Sequence, residues 1–232
     1  MSPVYDPYRP PHHGAQAGYV AYRSLGWKTT LSAVGVVATI MLTMLAGVLP
    51  MALSDVGERR LLVLAVIALF GLASTVVSLG TGILFLVWTH QAATNVRAFG
   101  QHDLEITPGW AVGWWFVPFA SLVMPYKALK EVWCASDPDT VGADGDSWTT
   151  RTVPSLFPLW WGMYLIHSLV GSAVAFAQVS TSLRHPQSMD TDAGVVGLGA
   201  NFFLAIAGVA IISIMKQLGR RQEASARKLS LL

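Results

Sequence analysis

The chain has 232 residues, of which 53% are hydrophobic and only 12% are charged. Soluble domains carry about 25% charged residues, so this chain lacks the polar side chains that a water-facing surface needs. The high apolar content excludes disorder as the main state, and a net charge of +2 is too small to indicate nucleic-acid binding. The composition therefore predicts an integral membrane protein.

The first two apolar runs are each long enough to span a bilayer. Residues 1–28 precede them and contain prolines and tyrosines without apolar periodicity, which predicts a disordered tail. The first run, residues 31–53, contains no charge, and its 23 residues can cross a hydrocarbon core of about 30 Å. The second, residues 61–88, would be about 42 Å long as a helix, so it must tilt or project beyond the bilayer.

The third apolar run, Trp110 to Met124, has only 15 residues, or about 22 Å as a helix. Pro118 lies near its middle and Pro125 follows it, and proline interrupts helical hydrogen bonding. The run is therefore predicted not to cross the membrane. Two further runs, residues 156–179 and 195–215, are long enough to do so.

Basic residues decide the predicted topology. With four spans, both termini lie on one side together with the middle loop, and this side holds twelve basic residues against three opposite. If the third run also crosses, the best split is ten to five. Because cytoplasmic loops are enriched in Lys and Arg, four spans with both termini in the cytoplasm are favoured, in the cell membrane.

The predicted fold is thus all-α and polytopic. A membrane domain over residues 29–218 contains the four spans, and residues 219–232 form a basic cytoplasmic tail. A proline-broken segment over residues 108–135 is either re-entrant or interfacial. Its part after Pro125 has an apolar and a basic face, which suits either the lipid headgroups or packing beneath the bundle. Residues 137–150 fail the EF-hand pattern and predict a solvated acidic loop.

Tryptophan is concentrated near the predicted cytoplasmic interface. An aromatic belt normally marks both interfaces of a membrane protein, so this asymmetry has two interpretations. The tryptophans either anchor the protein or form an aromatic platform that holds a lipid, an isoprenoid or a partner helix. The residues concerned are Trp27, Trp88, Trp110, Trp114, Trp115, Trp133, Trp160 and Trp161.

Residues 88–133 carry a more specific pattern. A tryptophan closes the second span, an asparagine follows seven residues later, and a Trp-rich segment with Phe-x-Pro precedes a Pro-Tyr pair. The next span opens with two tryptophans. In this pattern the chain resembles the domain of unknown function 4328 family, bacterial membrane proteins common in actinobacteria. The candidate motif residues are Trp88, Asn95, Trp110, Trp115, Phe116, Pro118, Ser121, Pro125, Tyr126, Trp160 and Trp161.

The resemblance covers roughly residues 22–218 and implies no activity. The family usually has asparagine where this chain has Ser121, which argues against a role that needs an amide there. A hydroxyl group can still donate and accept hydrogen bonds at this position.

Ionisable chemistry is scarce in the predicted spans. They contain no Asp, Glu, Lys or Arg, the residues that mark ion pathways and catalysis inside a bilayer. No catalytic motif is present, and Cys134 is the single cysteine. We therefore expect no enzyme activity, no catalytic residue, no cofactor and no metal site.

Apart from hydroxyl and indole side chains, the polar residues within the spans are the neutral His167, Gln178 and Asn201. Pairing His167 with His90 as haem or metal ligands would need two histidines at different depths. A hydrogen bond to a neighbouring helix is the commoner role of such residues.

Two classes of function remain. The preferred one is a non-enzymatic interaction or regulatory protein with an aromatic cytoplasmic-side platform. Its partners would be membrane lipids, another membrane protein or a second copy of the chain, and not nucleic acid. The alternative is a protein that handles lipids or a neutral substrate, or an accessory transport subunit. It requires a cavity lined by His167, Gln178, Asn201 and Ser121.

Overall fold

A computed structural model of the protein describes residues 20–52, 60–101, 104–141, 147–184 and 191–232. Within these ranges the fold is all-helical and contains no strand. Single 3₁₀ turns lie at Trp114–Phe116, Ala120–Leu122 and Ser147–Thr150. The α-helices are α1 (Gly26–Ala52), α2 (Arg60–Ala98), α3 (Pro108–Gly113), α4 (Met124–Ala135), α5 (Leu156–Arg184) and α6 (Thr191–Lys228).

Four of these helices, α1, α2, α5 and α6, are long and apolar enough to cross a membrane. The predicted class, an all-helical protein with four spans, is therefore confirmed. Most of their outward side chains are exposed apolar residues, such as Leu72, Leu79 and Phe176. Such a surface is stable in hydrocarbon and not in water, since the free energy of burial scales with apolar area.

Two of the long helices continue beyond their predicted spans. α2 runs ten residues past Trp88, and α6 continues to Lys228, so most of the predicted basic tail is helical. These extensions carry fully buried side chains, among them Gln222 and Ser225. Packing contacts rather than bilayer thickness therefore set the lengths of both helices.

The predicted disordered tail ends earlier than residue 28. Residues 1–19 lie outside the described part of the chain, but α1 begins at Gly26 and the side chain of Leu25 is only 1% exposed. The prediction of disorder is wrong for residues 20–28. The backbone N and O of Arg23 are bound by the Asn95 side chain of α2, a contact that sequence periodicity does not show.

The four long helices pack as a row in the order α2, α1, α6, α5. α2 and α5, the two ends of this row, meet mainly through aromatic rings at one end of the bundle, where the Phe85 and Trp160 centroids lie 6.4 Å apart. That end also holds the start of α1 and the end of α6, and we call it the base. The shorter helices α3 and α4 pack against α2 at the base.

The segment between α3 and α4 is broken at its proline, as the sequence predicted. Val117 is extended, and Phe119 has a φ of 62°, a conformation that bulky residues rarely adopt. The carbonyl of Pro118 accepts a hydrogen bond from Ala120 N at 2.7 Å, which tightens the turn. Pro125 lies in the first turn of α4, where its missing N–H costs nothing.

The closest approach of α1 to α2 requires a glycine. A Cβ atom on Gly35 would lie 2.7 Å from Thr81 Oγ1 and 3.3 Å from Thr81 Cβ. Thr81 is β-branched and stiff, so it cannot easily move away. Small residues at such crossings let helix backbones approach in a membrane.

We expect Gly35→Ala to lower the free energy of unfolding by about 2 kcal/mol, because overpacking a close contact typically costs 1–3 kcal/mol. Gly80→Ala is the matched control, since a Cβ there meets nothing within 4 Å. Both changes gain helix propensity equally. Unfolding by SDS in mixed micelles would measure the difference, and equal stability of the two variants would contradict the close contact.

Candidate functional site: a lateral cavity above an aromatic cluster

The base is organised by a buried amide. Asn95 is 0% exposed, and all four of its hydrogen-bonding positions are used. Its Nδ2 donates to Arg23 O and to Gln222 Oε1, both at 2.8 Å. Its Oδ1 accepts from Arg23 N and from Gln91 Nε2, both at 3.1 Å. One side chain thus joins the chain before α1, helix α2 and helix α6.

Gln222 extends this network to α4. Its Nε2 donates to Ala92 O at 2.9 Å and to Ser136 Oγ at 3.0 Å. Ser136 Oγ in turn donates to Val132 O, and Ser225 Oγ donates to Ser136 O. Every helix that reaches the base, apart from α3 and α5, is therefore tied to one fully paired polar network, which we call the amide junction.

An ion cluster lies beside the amide junction. The Asp137 carboxylate contacts Arg221 at 3.0 Å and Arg151 at 3.3 Å, and the Arg221 guanidinium stacks 4.6 Å from the ring centroid of Trp133. The predicted solvated acidic loop is therefore wrong at its start, because only 11% of the Asp137 side chain is exposed. Residues 142–146 of that loop lie outside the described residues.

The apolar face of α4 is buried within the protein. Ala128, Leu129 and Val132 are at most 6% exposed, while Lys127 and Lys130 are exposed. Of the two interpretations left open by the sequence, packing beneath the bundle describes these contacts. Glu131 accepts a hydrogen bond from Ile106 N at 3.2 Å, and burial raises the pKa of its carboxyl group.

An aromatic cluster lies directly above the base. Phe85 is central, with ring centroids 5.9 Å from Trp88 and 5.7 Å from Trp115. Trp115 lies 5.9 Å from Tyr164, and α5 contributes two further rings that touch each other. The aromatic cluster consists of Phe85, Trp88, Trp115, Trp160, Trp161 and Tyr164.

Two tryptophan N–H groups hold this cluster in place. Trp88 Nε1 donates to Thr29 Oγ1 at 2.9 Å and so binds α2 to α1. Trp161 Nε1 donates to Leu122 O at 3.0 Å and so binds α5 to the broken segment. The bend at Pro118 is closed by backbone hydrogen bonds, among them one that Ser121 N donates to Val117 O, and the Asn95 side chain lies in the amide junction instead.

Some of the other predicted motif residues pack against the aromatic cluster, and others are exposed on the surface of the protein. Tyr126 packs 6.4 Å from Trp161, at the edge of the aromatic cluster. Trp110 stacks on Trp114 at 4.5 Å and is half exposed. Phe116 and Phe119 are 71% and 86% exposed. The broken segment thus presents an apolar outer face as well as an aromatic inner one.

A cavity of about 530 Å³ lies between the helices above the aromatic cluster. Because α2 and α5 do not pack closely above their aromatic contact, the cavity opens sideways between them. No charged side chain is among those that line it. The lining residues that matter below are Thr39, Thr43, Ser78, Thr81, Gly82, Phe85, Trp115, Phe116, Trp160, Tyr164, His167, Ser168 and Gly208.

The structure brings only one of the predicted intramembrane polar residues to this cavity. His167 lines it, and its Nδ1 lies 3.0 Å from Ala200 O on α6. Gln178 is exposed, and Asn201 Nδ2 donates to Thr43 O at 3.2 Å, which binds α6 to α1. Of the residues that the alternative function requires around one cavity, His167, Gln178, Asn201 and Ser121, only His167 lines this one.

Sequence reasoning missed most of the amide junction. Gln91, Ser136 and Gln222 were not identified: Gln91 bonds Asn95 four residues away, a spacing common to all helical neighbours, and Ser136 and Gln222 meet across 86 residues. One pattern pointed to Gln222: the helical spacing of Met215, Leu218, Gln222 and Ser225 continues past the predicted end of the last span, as on one face of a longer helix.

The four apolar helices, the broken segment and the uncharged cavity define a multi-pass helical membrane protein. Residues 62–220, about two thirds of the chain, match the family described as Domain of unknown function (DUF4328). The chain belongs to this family, which confirms the resemblance found in residues 88–133. Neither a curated protein nor a solved structure matches the chain.

We expect Asn95→Asp to lower the free energy of unfolding by about 3 kcal/mol. The variant places an oxygen where Nδ2 now donates to two oxygens, and an unpaired buried acceptor costs 1–3 kcal/mol or more if charged. Thr94→Ala is the control, because Thr94 only bonds His90 O within its own helix. SDS titration in mixed micelles would measure both, and an unchanged midpoint for Asn95→Asp would contradict the junction.

Trp161→Phe should loosen the broken segment, because it removes the donor to Leu122 O. A net hydrogen bond of about 1 kcal/mol corresponds to roughly fivefold faster local opening. Trp160→Phe makes the same change in ring size, but among the described residues Trp160 Nε1 has no hydrogen-bond partner. Amide hydrogen exchange over residues 114–123 should accelerate in the first variant alone. Equal exchange rates in both variants would contradict the role of this hydrogen bond in holding the broken segment.

Proposed function

We propose that this chain is a non-enzymatic membrane protein that acts by binding, with a lipid chain as the occupant of the lateral cavity. The observation that carries the proposal is the opening of the cavity between α2 and α5. An opening on that side faces the hydrocarbon of the bilayer, so lipid chains are the molecules that meet it at the highest concentration. The aromatic cluster beneath the cavity contains four tryptophans of the predicted aromatic platform, Trp88, Trp115, Trp160 and Trp161, which supports a binding role.

The chemistry of the lining supports this proposal. Its side chains are apolar or neutral, and the cavity volume lies within the range of about 300–1,000 Å³ that is usual for small-molecule sites. An ion-coupled carrier would need ionisable groups at this depth. A neutral lining instead suits a ligand that is held by shape and apolar contact.

We further propose that the base lies on the cytoplasmic side. It contains the start of α1 and the end of α6, and the basic residues of both termini and of the middle loop concentrate there. The outer face of the broken segment, with Phe116 and Phe119 exposed, would then enter the cytoplasmic leaflet. This arrangement is a re-entrant or interfacial segment whose irregular backbone is covered by protein on its inner side.

The lipid proposal predicts site-specific photolabelling. A phospholipid with a diazirine in its acyl chain, reconstituted with the protein, should label cavity-lining residues of α2 and α5. Gly82→Trp should abolish that labelling by filling the cavity, since Gly82 lines it and has no atom within 4 Å of its Cβ position.

Gly80→Trp is the matched control. Gly80 lies on the same helix two residues away, is exposed and does not line the cavity. Labelling that persists in Gly82→Trp would overturn the lipid proposal. A cross-link to a second protein chain at the same residues would instead favour a partner helix as the occupant.

The orientation predicts different accessibility of two cysteines on a Cys134→Ser background. Cys134 itself is unsuitable, because it is buried and burial raises the pKa of its thiol. Arg184→Cys should react with an impermeant maleimide in intact cells, whereas Lys130→Cys should react only after permeabilisation. Both positions are exposed, at opposite ends of the bundle. Labelling of position 130 in intact cells would contradict a cytoplasmic base.

A further inference from the structure

The hydroxyl groups that line the cavity fall into two sets, one paired within the protein and one unpaired. Most Ser and Thr side chains bond a carbonyl one turn back; Thr81, for example, donates to Val77 O at 2.8 Å. Thr39 donates to Thr81 Oγ1, so this pair is also satisfied. By contrast, Ser78, Tyr164 and Ser168 line the cavity, and none of their hydroxyls has a hydrogen-bond partner within the described residues.

His167 adds one hydrogen-bond acceptor to the lining of the cavity. The carbonyl oxygen of Ala200 can only accept, so the Nδ1 atom 3.0 Å from it must carry the hydrogen. In the neutral imidazole that carries its hydrogen on Nδ1, the Nε2 atom is an acceptor, on a side chain that lines the cavity.

These groups all line the same cavity. Tyr164, His167 and Ser168 are spaced i, i+3 and i+4, which places them on one face of α5. Ser78 lies on α2, the helix across the opening. The combination is three hydroxyls, which donate and accept, together with one nitrogen that only accepts.

We infer that this set binds the hydroxyl group of a neutral lipid alcohol, with its apolar chain passing out between α2 and α5. The inference rests on the proposed lipid-binding function and specifies the ligand's head. An alcohol can donate to His167 Nε2 while it accepts from Tyr164 or Ser168. A head with carbonyls only has no hydrogen for Nε2, and a phosphate or ammonium head finds no opposite charge in the lining.

Two ligands share this chemistry, diacylglycerol and a long-chain polyprenol. The test is competition against the photoreactive phospholipid by each alcohol and by its methyl ether, which keeps the chain but cannot donate. Each alcohol that binds should compete about threefold to tenfold better than its ether, the ratio expected for one or two interhelical-strength hydrogen bonds. The relative potency of the two alcohols identifies which source is preferred.

His167→Asn isolates the acceptor. An asparagine amide can still donate to Ala200 O, but it places no acceptor at the Nε2 position. The preference for alcohol over ether should fall to about onefold in this variant, while labelling by the photoreactive lipid persists. Tyr164→Phe and Ser168→Ala should weaken both alcohols, and Ser180→Ala should change nothing, because Ser180 bonds carbonyls of its own helix.

The outcomes separate this inference from the function on which it rests. Suppose that alcohol and ether compete equally in the parent protein while labelling is still lost in Gly82→Trp. This result would overturn the alcohol site and would support lipid binding in the cavity. An alcohol preference that survives His167→Asn would also overturn it. Labelling that is insensitive to Gly82→Trp would overturn the lipid-binding function itself.

Discussion

The fold depends on the complete pairing of one buried amide. Asn95 and Gln222 together bond the backbone before α1, the backbone of α2 and Ser136 after α4. In a low-dielectric interior such bonds are strong, and an unpaired member is costly. The network therefore accepts essentially one arrangement of these elements. It fixes the entry to the first span relative to the last one, although they are nearly the whole chain apart.

A rigid base allows the rest of the bundle to remain open. Three of the long helices, α1, α2 and α6, are held at one end by the amide junction, and α6 also joins the ion cluster around Asp137. Above it, α2 and α5 meet through rings of the aromatic cluster, such as Phe85 and Trp160. Apolar helices gain little from closing on each other in lipid, since lipid tails solvate them equally well. A gap between two such helices is thus stable where it would collapse in a water-soluble bundle.

The sequence was sufficient for the features that depend on local composition. Uncharged runs marked the four spans and Pro118 marked the break. The spacing of Trp88 and Asn95 marked a motif of the family that the chain resembles, without showing which residues Asn95 bonds. It was insufficient for pairings over long separations. Asn95 meets Gln222 across 127 residues. No pattern in a sequence shows which distant residue an amide side chain will bond. Periodicity likewise could not show that residues 20–25 are held by a distant side chain.

The same reasoning applies to the unpaired hydroxyls of the cavity. Many polar groups elsewhere in the bundle are satisfied within a helix, as at Thr75, or across helices, as at Asn201, and Ser32 Oγ on α1 is a buried exception. The stability of the fold therefore depends on contacts at the base, and the residues that line the cavity are not needed for it. Proteins keep locally unfavourable groups where a function needs them and compensate elsewhere. Tyr164, Ser168 and Ser78 fit that description, because nothing in the packing of α2 or α5 requires a hydroxyl at those positions.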